Sequence, residues 1–195
     1  MSRVAIASAG VVPGFILVGW LLNIPAFYKW IGSEPSHPLT AIIVLLAAGA
    51  AWTAQNRGVI HQRISTALAA TVGLLGLWSL AEAVIGGQTP GKWLVLQMPA
   101  APAEPFAMSG LSAGSLLFLS MAMLLRDTPA RRKYSAGQWL CLVPLVLSLM
   151  VAVAYIYGAE PIYTFTKRVS MAFPSALAIL ALSVGTVLLS LDRLP

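Results

Sequence analysis

Long apolar stretches alternate with short polar segments along almost the whole of this 195-residue chain. A membrane-spanning helix needs about 20 predominantly apolar residues, and six stretches approach or reach that length. They are Val4–Leu22, Pro38–Ala54, Ile64–Gly86, Phe106–Leu125, Trp139–Tyr157 and Val169–Leu191. The pattern predicts six transmembrane helices joined by short connections, and the second is the shortest of them.

The even-numbered stretches begin with related residues. A hydroxyl residue followed by alanine occurs at Thr40, Ser112 and Ser175, near the start of the second, fourth and sixth stretches. Tyr28 and Tyr163 each precede such a residue by twelve positions, in the first and last units. Because self-similarity at a long period marks repeated structural units, we predict one membrane domain built from three helix pairs. The domain is the whole chain, residues 1–195, and its pairs cover about residues 1–56, 57–128 and 129–195.

The composition agrees with an all-α integral membrane protein. Hydrophobic residues make up 58% of the chain and charged residues 9%, and the mean hydropathy is +0.84. A soluble domain of this length would carry far more charge, since typical domains contain about 25% charged residues. The six stretches also leave too few residues between them for a soluble catalytic domain.

The basic residues are distributed unevenly between the two sets of helix ends. Eight of the 12 lysines and arginines fall at one set of alternate ends: Arg3, Arg57, Arg63, Arg126, Arg131, Arg132, Lys133 and Arg193. The other set has Lys29, Lys92, Lys167 and Arg168. Cytoplasmic ends carry the excess of positive charge in membrane proteins, so both termini are predicted to be cytoplasmic.

The net charge of +6 is therefore mainly a topology signal. Nucleic acid is not an expected partner, because the chain has no stripe of basic residues interleaved with aromatic ones. The basic run at residues 126–133 is typical of a segment that contacts anionic lipid headgroups. Membrane lipids are thus the first partner that we expect.

Six residues are candidates for ligand binding or signalling. Glu82 is the acidic residue inside a predicted span, and an ionisable side chain there is functional by default, unless it simply reaches water at the outer interface. Tyr28 and Tyr163 lie in outer loops that are rich in aromatic residues, which indicates either an interfacial aromatic belt or a surface that receives a ligand. The hydroxyl residues Thr40, Ser112 and Ser175 complete the set, unless they only bond to backbone within their own helices.

No complete catalytic or metal-binding set is present in the sequence. The motif Gly110-x-Ser112-x-Gly114 matches the nucleophile pattern of serine hydrolases, which also needs a strand-to-helix elbow and a later histidine; no histidine follows it. His37 and His61 fall at opposite membrane faces and cannot hold a haem together. We therefore predict a protein that is not an enzyme and has no cofactor. The same glycine spacing permits close helix packing, within the chain or in a homodimer.

Short phrases near two helix starts carry a family resemblance. Met108–Ala113 and Met171–Leu177 are similar to a phrase that opens helices in the N-terminal multi-span membrane sensor regions of bacterial sensor histidine kinases and diguanylate cyclases. Tyr157–Tyr163 resembles the loop before the last helix of that group. The resemblance implies a location in the bacterial inner membrane and a cytoplasmic effector region after the last helix. Here the sequence ends soon after that helix, as expected of a truncated signalling protein or of a stand-alone relative.

Two functions of different classes remain open from the sequence. The first is a non-catalytic sensory module, in which a stimulus at the outer face or inside the bundle shifts helix packing and the last helix passes the shift to a cytoplasmic signalling domain. The second is an accessory subunit packed against other subunits of a respiratory or photosynthetic membrane complex. A small transporter that depends on Glu82 is a weaker third alternative, because Glu82 has no other buried charged partner in the spans.

Overall fold

The computed structural model describes residues 2–28, 36–56, 58–85, 108–126, 136–158 and 171–191, without the side chains of residues 2–3, 82–85 and 191. These ranges are helical and contain no strand, so the all-helical class predicted from the sequence is confirmed for them. The helices are α1 (Ser2–Leu21), α2 (Pro25–Tyr28), α3 (Pro38–Thr53), α4 (Val59–Ile85), α5 (Gly110–Leu124), α6 (Ala136–Ile156) and α7 (Phe173–Leu191).

Four of these helices are long and apolar enough to cross a membrane. Their apolar segments are Val4–Leu21, Val59–Ala81, Ala136–Ile156 and Phe173–Ser190. Helices α3 and α5 are also apolar but have 16 and 15 residues, which gives lengths of about 24 and 22 Å at 1.5 Å per residue. The hydrocarbon core of a bilayer is about 30 Å thick, so length alone does not establish that α3 and α5 span it.

The long helices are arranged as three inner and three outer ones. Helices α3, α5 and α7 contact one another, while α1 packs between α7 and α3, α4 between α3 and α5, and α6 between α5 and α7. Neighbours run antiparallel: for example, Ser65 near the start of α4 donates a hydrogen bond to the carbonyl oxygen of Ala50 near the end of α3. The three inner helices therefore begin at the same end of the bundle, which we call the upper end; the opposite end is the lower end.

Each inner helix has a matching row of buried residues. The row begins with a hydroxyl at the third helical position and continues four, seven and eleven residues later, a spacing that keeps side chains on one helix face. The rows are Thr40, Val44, Ala47 and Ala51; Ser112, Leu116, Leu119 and Met123; and Ser175, Ile179, Leu182 and Thr186. All twelve residues are at most 7% exposed. The hydroxyl residues thus lie at the top of the core, above largely apolar layers.

Glycines allow α4 and α5 to approach closely. A Cβ atom added at Gly73 would lie 2.5 Å from Oγ of Ser120, and one at Gly76 would lie 3.2 Å from the carbonyl oxygen of Ala113. By contrast, no described atom lies within 4 Å of a Cβ added at Gly114. At the contact between α4 and α5, close packing therefore uses Gly73 and Gly76 and does not depend on Gly114.

Candidate functional site at the upper end of the bundle

The structure places four of the six candidate residues at the upper end of the bundle. Thr40, Ser112 and Ser175 are buried near the starts of the three inner helices. Tyr28 is the last residue of α2 and is half-buried. Tyr163 lies outside the described residues, and Glu82 is described only by its backbone in α4.

Ser36 connects Tyr28 with Ser175. The Oγ atom of Ser175 donates a hydrogen bond to Oγ of Ser36 over 3.3 Å, and the Ser36 amide donates to the carbonyl oxygen of Tyr28 over 2.8 Å. The indole Nε1–H of Trp20 donates to the carbonyl oxygen of Ser36, also over 2.8 Å. The rings of Trp20 and Tyr28 stack with centroids 4.5 Å apart. Helices α1, α2 and α7 thus meet at one buried serine.

The turn after α1 brings Tyr28 to this position. Asn23 adopts a left-handed backbone conformation with φ of 55°, which asparagine tolerates better than most residues, and the chain reverses there into α2. Gly19 lets α2 lie against α1, because a Cβ at Gly19 would come within 2.5 Å of Cβ of Phe27. Phe27 also packs edge-to-face on Phe15, with ring centroids 5.7 Å apart. Helix α2 is therefore fixed on the end of α1.

Ser112 takes part in capping α5. The Oγ atom of Ser109 accepts a hydrogen bond from the Ser112 amide over 3.2 Å and lies 2.8 Å from Oγ of Ser112. A serine at the N-cap that accepts from the third helical residue is the usual way to satisfy a free amide at a helix start. Ser112 lies inside a helix and not at a strand-to-helix turn, so its geometry is not that of a hydrolase nucleophile.

The backbone of Glu82 lies beyond the start of α5. Gly76 is level with Ala113, since a Cβ on the first would lie 3.2 Å from the carbonyl oxygen of the second. Glu82 is six residues further up α4, about 9 Å, whereas Gly110 is only three residues above Ala113, about 4.5 Å. Glu82 is thus at the same end of the bundle as Tyr28.

Five buried hydroxyl groups of the described residues donate to backbone carbonyl oxygens. Ser148, Ser183 and Thr186 donate to the residue four positions earlier in their own helices, as Ser and Thr commonly do, and Ser65 and Ser120 donate to a neighbouring helix. Ser115 differs: it is fully buried, and its Oγ has no hydrogen-bond partner within the described part of the chain.

Replacing Ser115 with alanine is expected to raise the free energy of unfolding by about 1 kcal/mol, because an unpaired buried hydroxyl costs about 1–3 kcal/mol. Ser120→Ala, on the same helix, is the matched comparison. It removes a 2.7 Å bond to the carbonyl oxygen of Ala69 and is expected to destabilise by about 0.6 kcal/mol, the average for such bonds in a membrane. Equilibrium unfolding in mixed micelles measures both, and a loss of stability in Ser115→Ala would contradict the prediction.

Hydrogen bonds and ring stacking join the described residues at the upper end. Among them, no group of three or more His, Cys, Asp or Glu side chains is placed to hold a metal ion. Cys141, the single cysteine, is free and buried in α6. Comparison of the chain with protein-family models, curated proteins and solved structures finds no match.

Proposed function

We propose that this chain is a non-catalytic sensory module of the bacterial inner membrane. In this proposal the six long helices cross the bilayer as three helix pairs, with both termini in the cytoplasm. A stimulus received at the upper end, which would face outward, changes the packing of the inner helices. Helix α7 passes that change to a cytoplasmic effector at the lower end.

The observation that carries this proposal is the buried contact between Ser36, just before α3, and the start of the last helix, α7. Ser175 is the third residue of α7 and bonds to Ser36, which in turn bonds to Tyr28 and Trp20. A polar network that is buried in an apolar bundle restricts how the helices can be arranged. A stimulus that disturbs it would act directly on the start of the helix whose other end points to the cytoplasm.

The arrangement of the helices also supports six spans. Helices α3 and α5 are the shortest of the six long helices, and each is an inner helix that packs against four of the others. Non-helical backbone at membrane depth is tolerated where protein covers it, so short inner helices need not reach the bilayer surface. The described basic residues Arg63 and Arg126 both belong to the lower end, in agreement with a cytoplasmic location.

The first test is the intact mass of the native polypeptide purified from its own membranes. A mass well above 20.6 kDa with an effector region after α7 would support the sensory module. A mass near 20.6 kDa, together with stable co-purification of cofactor-bearing subunits, would overturn it in favour of an accessory subunit of a respiratory or photosynthetic complex. In the first outcome the partner is a cytoplasmic signalling domain, and a homodimer is compatible with it. In the second outcome the partners are the other subunits of the complex.

Variants of the candidate residues are expected to change the basal output of the effector in native membrane vesicles. We expect the combined change Tyr28→Ala, Glu82→Gln and Tyr163→Ala to shift that output by about five-fold or more, the lower limit of typical coupling between sites. Thr71→Ala is the control and is expected to leave the output of the unaltered protein unchanged. Thr71 is exposed on α4, and its hydroxyl donates to the carbonyl oxygen of Ala67 in its own helix. An unchanged output in the triple variant would show that the proposed site is wrong.

A further inference from the structure

We propose that the hydroxyl group of Ser175 is a two-position latch, which either ties the start of α7 to Ser36 or releases it by bonding within its own helix. This inference deepens the proposed function, because it identifies how the upper end acts on α7. The conformational equilibrium itself does not depend on an effector and can be measured without one.

The closed position is the one in the structure. Ser36 is held on two sides, since its amide donates to Tyr28 and its carbonyl oxygen accepts from Trp20, each over 2.8 Å. The bond from Ser175 to Ser36 is longer, at 3.3 Å. Hydroxyl to hydroxyl bonds are usually 2.7–2.8 Å, so this contact is the longest of the three and the one on which we place the switch.

The open position is available because a serine in a helix has acceptors in its own backbone. Ser183 and Thr186 on the same helix donate to the carbonyl oxygens of Ile179 and Leu182, each over 2.8 Å. Ser175 is the third residue of α7, so Met171 lies before the helix, while the carbonyl oxygen of Ala172 accepts the first helical bond, from the Ala176 amide over 3.0 Å. A carbonyl oxygen can accept two hydrogen bonds, so rotation about one side-chain bond exchanges a partner on another segment for the Ala172 carbonyl oxygen at the start of its own helix.

The lower end supplies a fixed point for the movement. A Cβ added at Gly185 of α7 would lie 2.7 Å from Cγ1 of Ile6 and 3.3 Å from the Ile6 amide nitrogen, both on α1. These two helices are therefore packed backbone to backbone near their lower ends. Release of Ser175 at the upper end would let α7 tilt about this contact, so that its last turn moves relative to α1.

The test uses a trifluoromethyl label at Ser190→Cys, in the last turn of α7, in the full chain carrying Cys141→Ala and embedded in nanodiscs. We expect two fluorine signals, or one averaged signal whose position follows the ratio of the two states where their exchange is fast. Ser36→Ala removes only the closed bond and should shift the ratio toward the open state about three-fold, because interhelical hydrogen bonds in membranes average 0.6 kcal/mol. Ser175→Ala removes the hydroxyl from both positions and should shift the ratio less. The double variant should match Ser175→Ala, since Ser36 acts on the latch only through Ser175.

Two variants separate the latch from a general loss of packing. Ser183→Ala removes a buried hydroxyl of α7 that donates to the carbonyl oxygen of Ile179 in the same helix. The ratio of the closed and open populations should therefore stay unchanged. Ser175→Thr keeps the hydroxyl and should retain most of the closed state. An identical signal in all variants, a double variant that shifts as far as Ser36→Ala, or an equal shift in Ser183→Ala would overturn the latch. If the populations shift but effector output does not, the latch stands and the proposed function fails.

Discussion

Replacing Gly137 with alanine is expected to lower the free energy of unfolding by about 1–3 kcal/mol, the usual cost of overpacking a filled site. Gly137 is the second residue of α6, and an added Cβ would lie 2.7 Å from the carbonyl oxygen of Ala122 in α5. The contacted atom belongs to a helix backbone and cannot rotate away as a side chain does. Helices α5 and α6 must therefore separate near their lower ends to admit one methyl group.

Gly114→Ala is the matched control, because a Cβ at Gly114 meets no described atom within 4 Å. Alanine is a better helix former than glycine by about 1 kcal/mol, so this variant is expected to keep or slightly raise stability. Both variants can be compared by titration with sodium dodecyl sulfate in mixed micelles, followed by circular dichroism. Equal unfolding midpoints for the two would contradict the packing that the structure assigns to α5 and α6.

The sequence predicts the apolar helices well but places their ends less accurately. The apolar pattern places the start of the fourth stretch at Phe106, whereas α5 begins at Gly110 after its cap at Ser109. It places the start of the third at Ile64, but α4 already begins at Val59. Its first turns contain polar residues such as Gln62, which form helix readily although they lower hydropathy. Apolar length alone therefore misses helical turns that extend out of the apolar region.

The candidate site could be predicted only in part, for a related reason. The hydroxyl residues Thr40, Ser112 and Ser175 are visible as a recurring phrase, and the structure buries all three at the starts of inner helices. Ser36 belongs to no such pattern. Its importance depends on partners 16 and 139 positions away in the sequence, and contacts between residues so far apart follow from helix packing rather than from any local motif.

The matching rows of buried residues give the repeat proposal a physical basis that the short phrases lack. Four side chains recur on α3, α5 and α7 at identical spacing, and each row has a hydroxyl at its upper end. Only Thr186 interrupts the apolar layers below, and it bonds to its own helix at Leu182. Within these rows the upper hydroxyl is thus the recurring polar position on all three inner helices.

Trp20→Ala is expected to be the other strongly destabilising change, by about 3–5 kcal/mol, the range for truncating a large buried aromatic side chain. Trp20 is 5% exposed and packs with Ile16 and Ala41 as well as on the ring of Tyr28. Trp52→Ala is the control, because Trp52 is 48% exposed at the end of α3. It should lower the free energy of unfolding several times less than Trp20→Ala does. Unfolding in mixed micelles again measures both variants.

Trp20→Phe separates ring packing from the hydrogen bond. Phenylalanine keeps an aromatic ring beside Tyr28 but removes the Nε1–H donor, which leaves the buried carbonyl oxygen of Ser36 without that partner. The expected cost is about 1–3 kcal/mol, the penalty for an unsatisfied buried polar group. Because Ser36 then loses one of its two anchors, the fluorine label on α7 should also report more of the released state. Full stability together with unchanged populations in Trp20→Phe would show that the indole bond does not hold Ser36 in place.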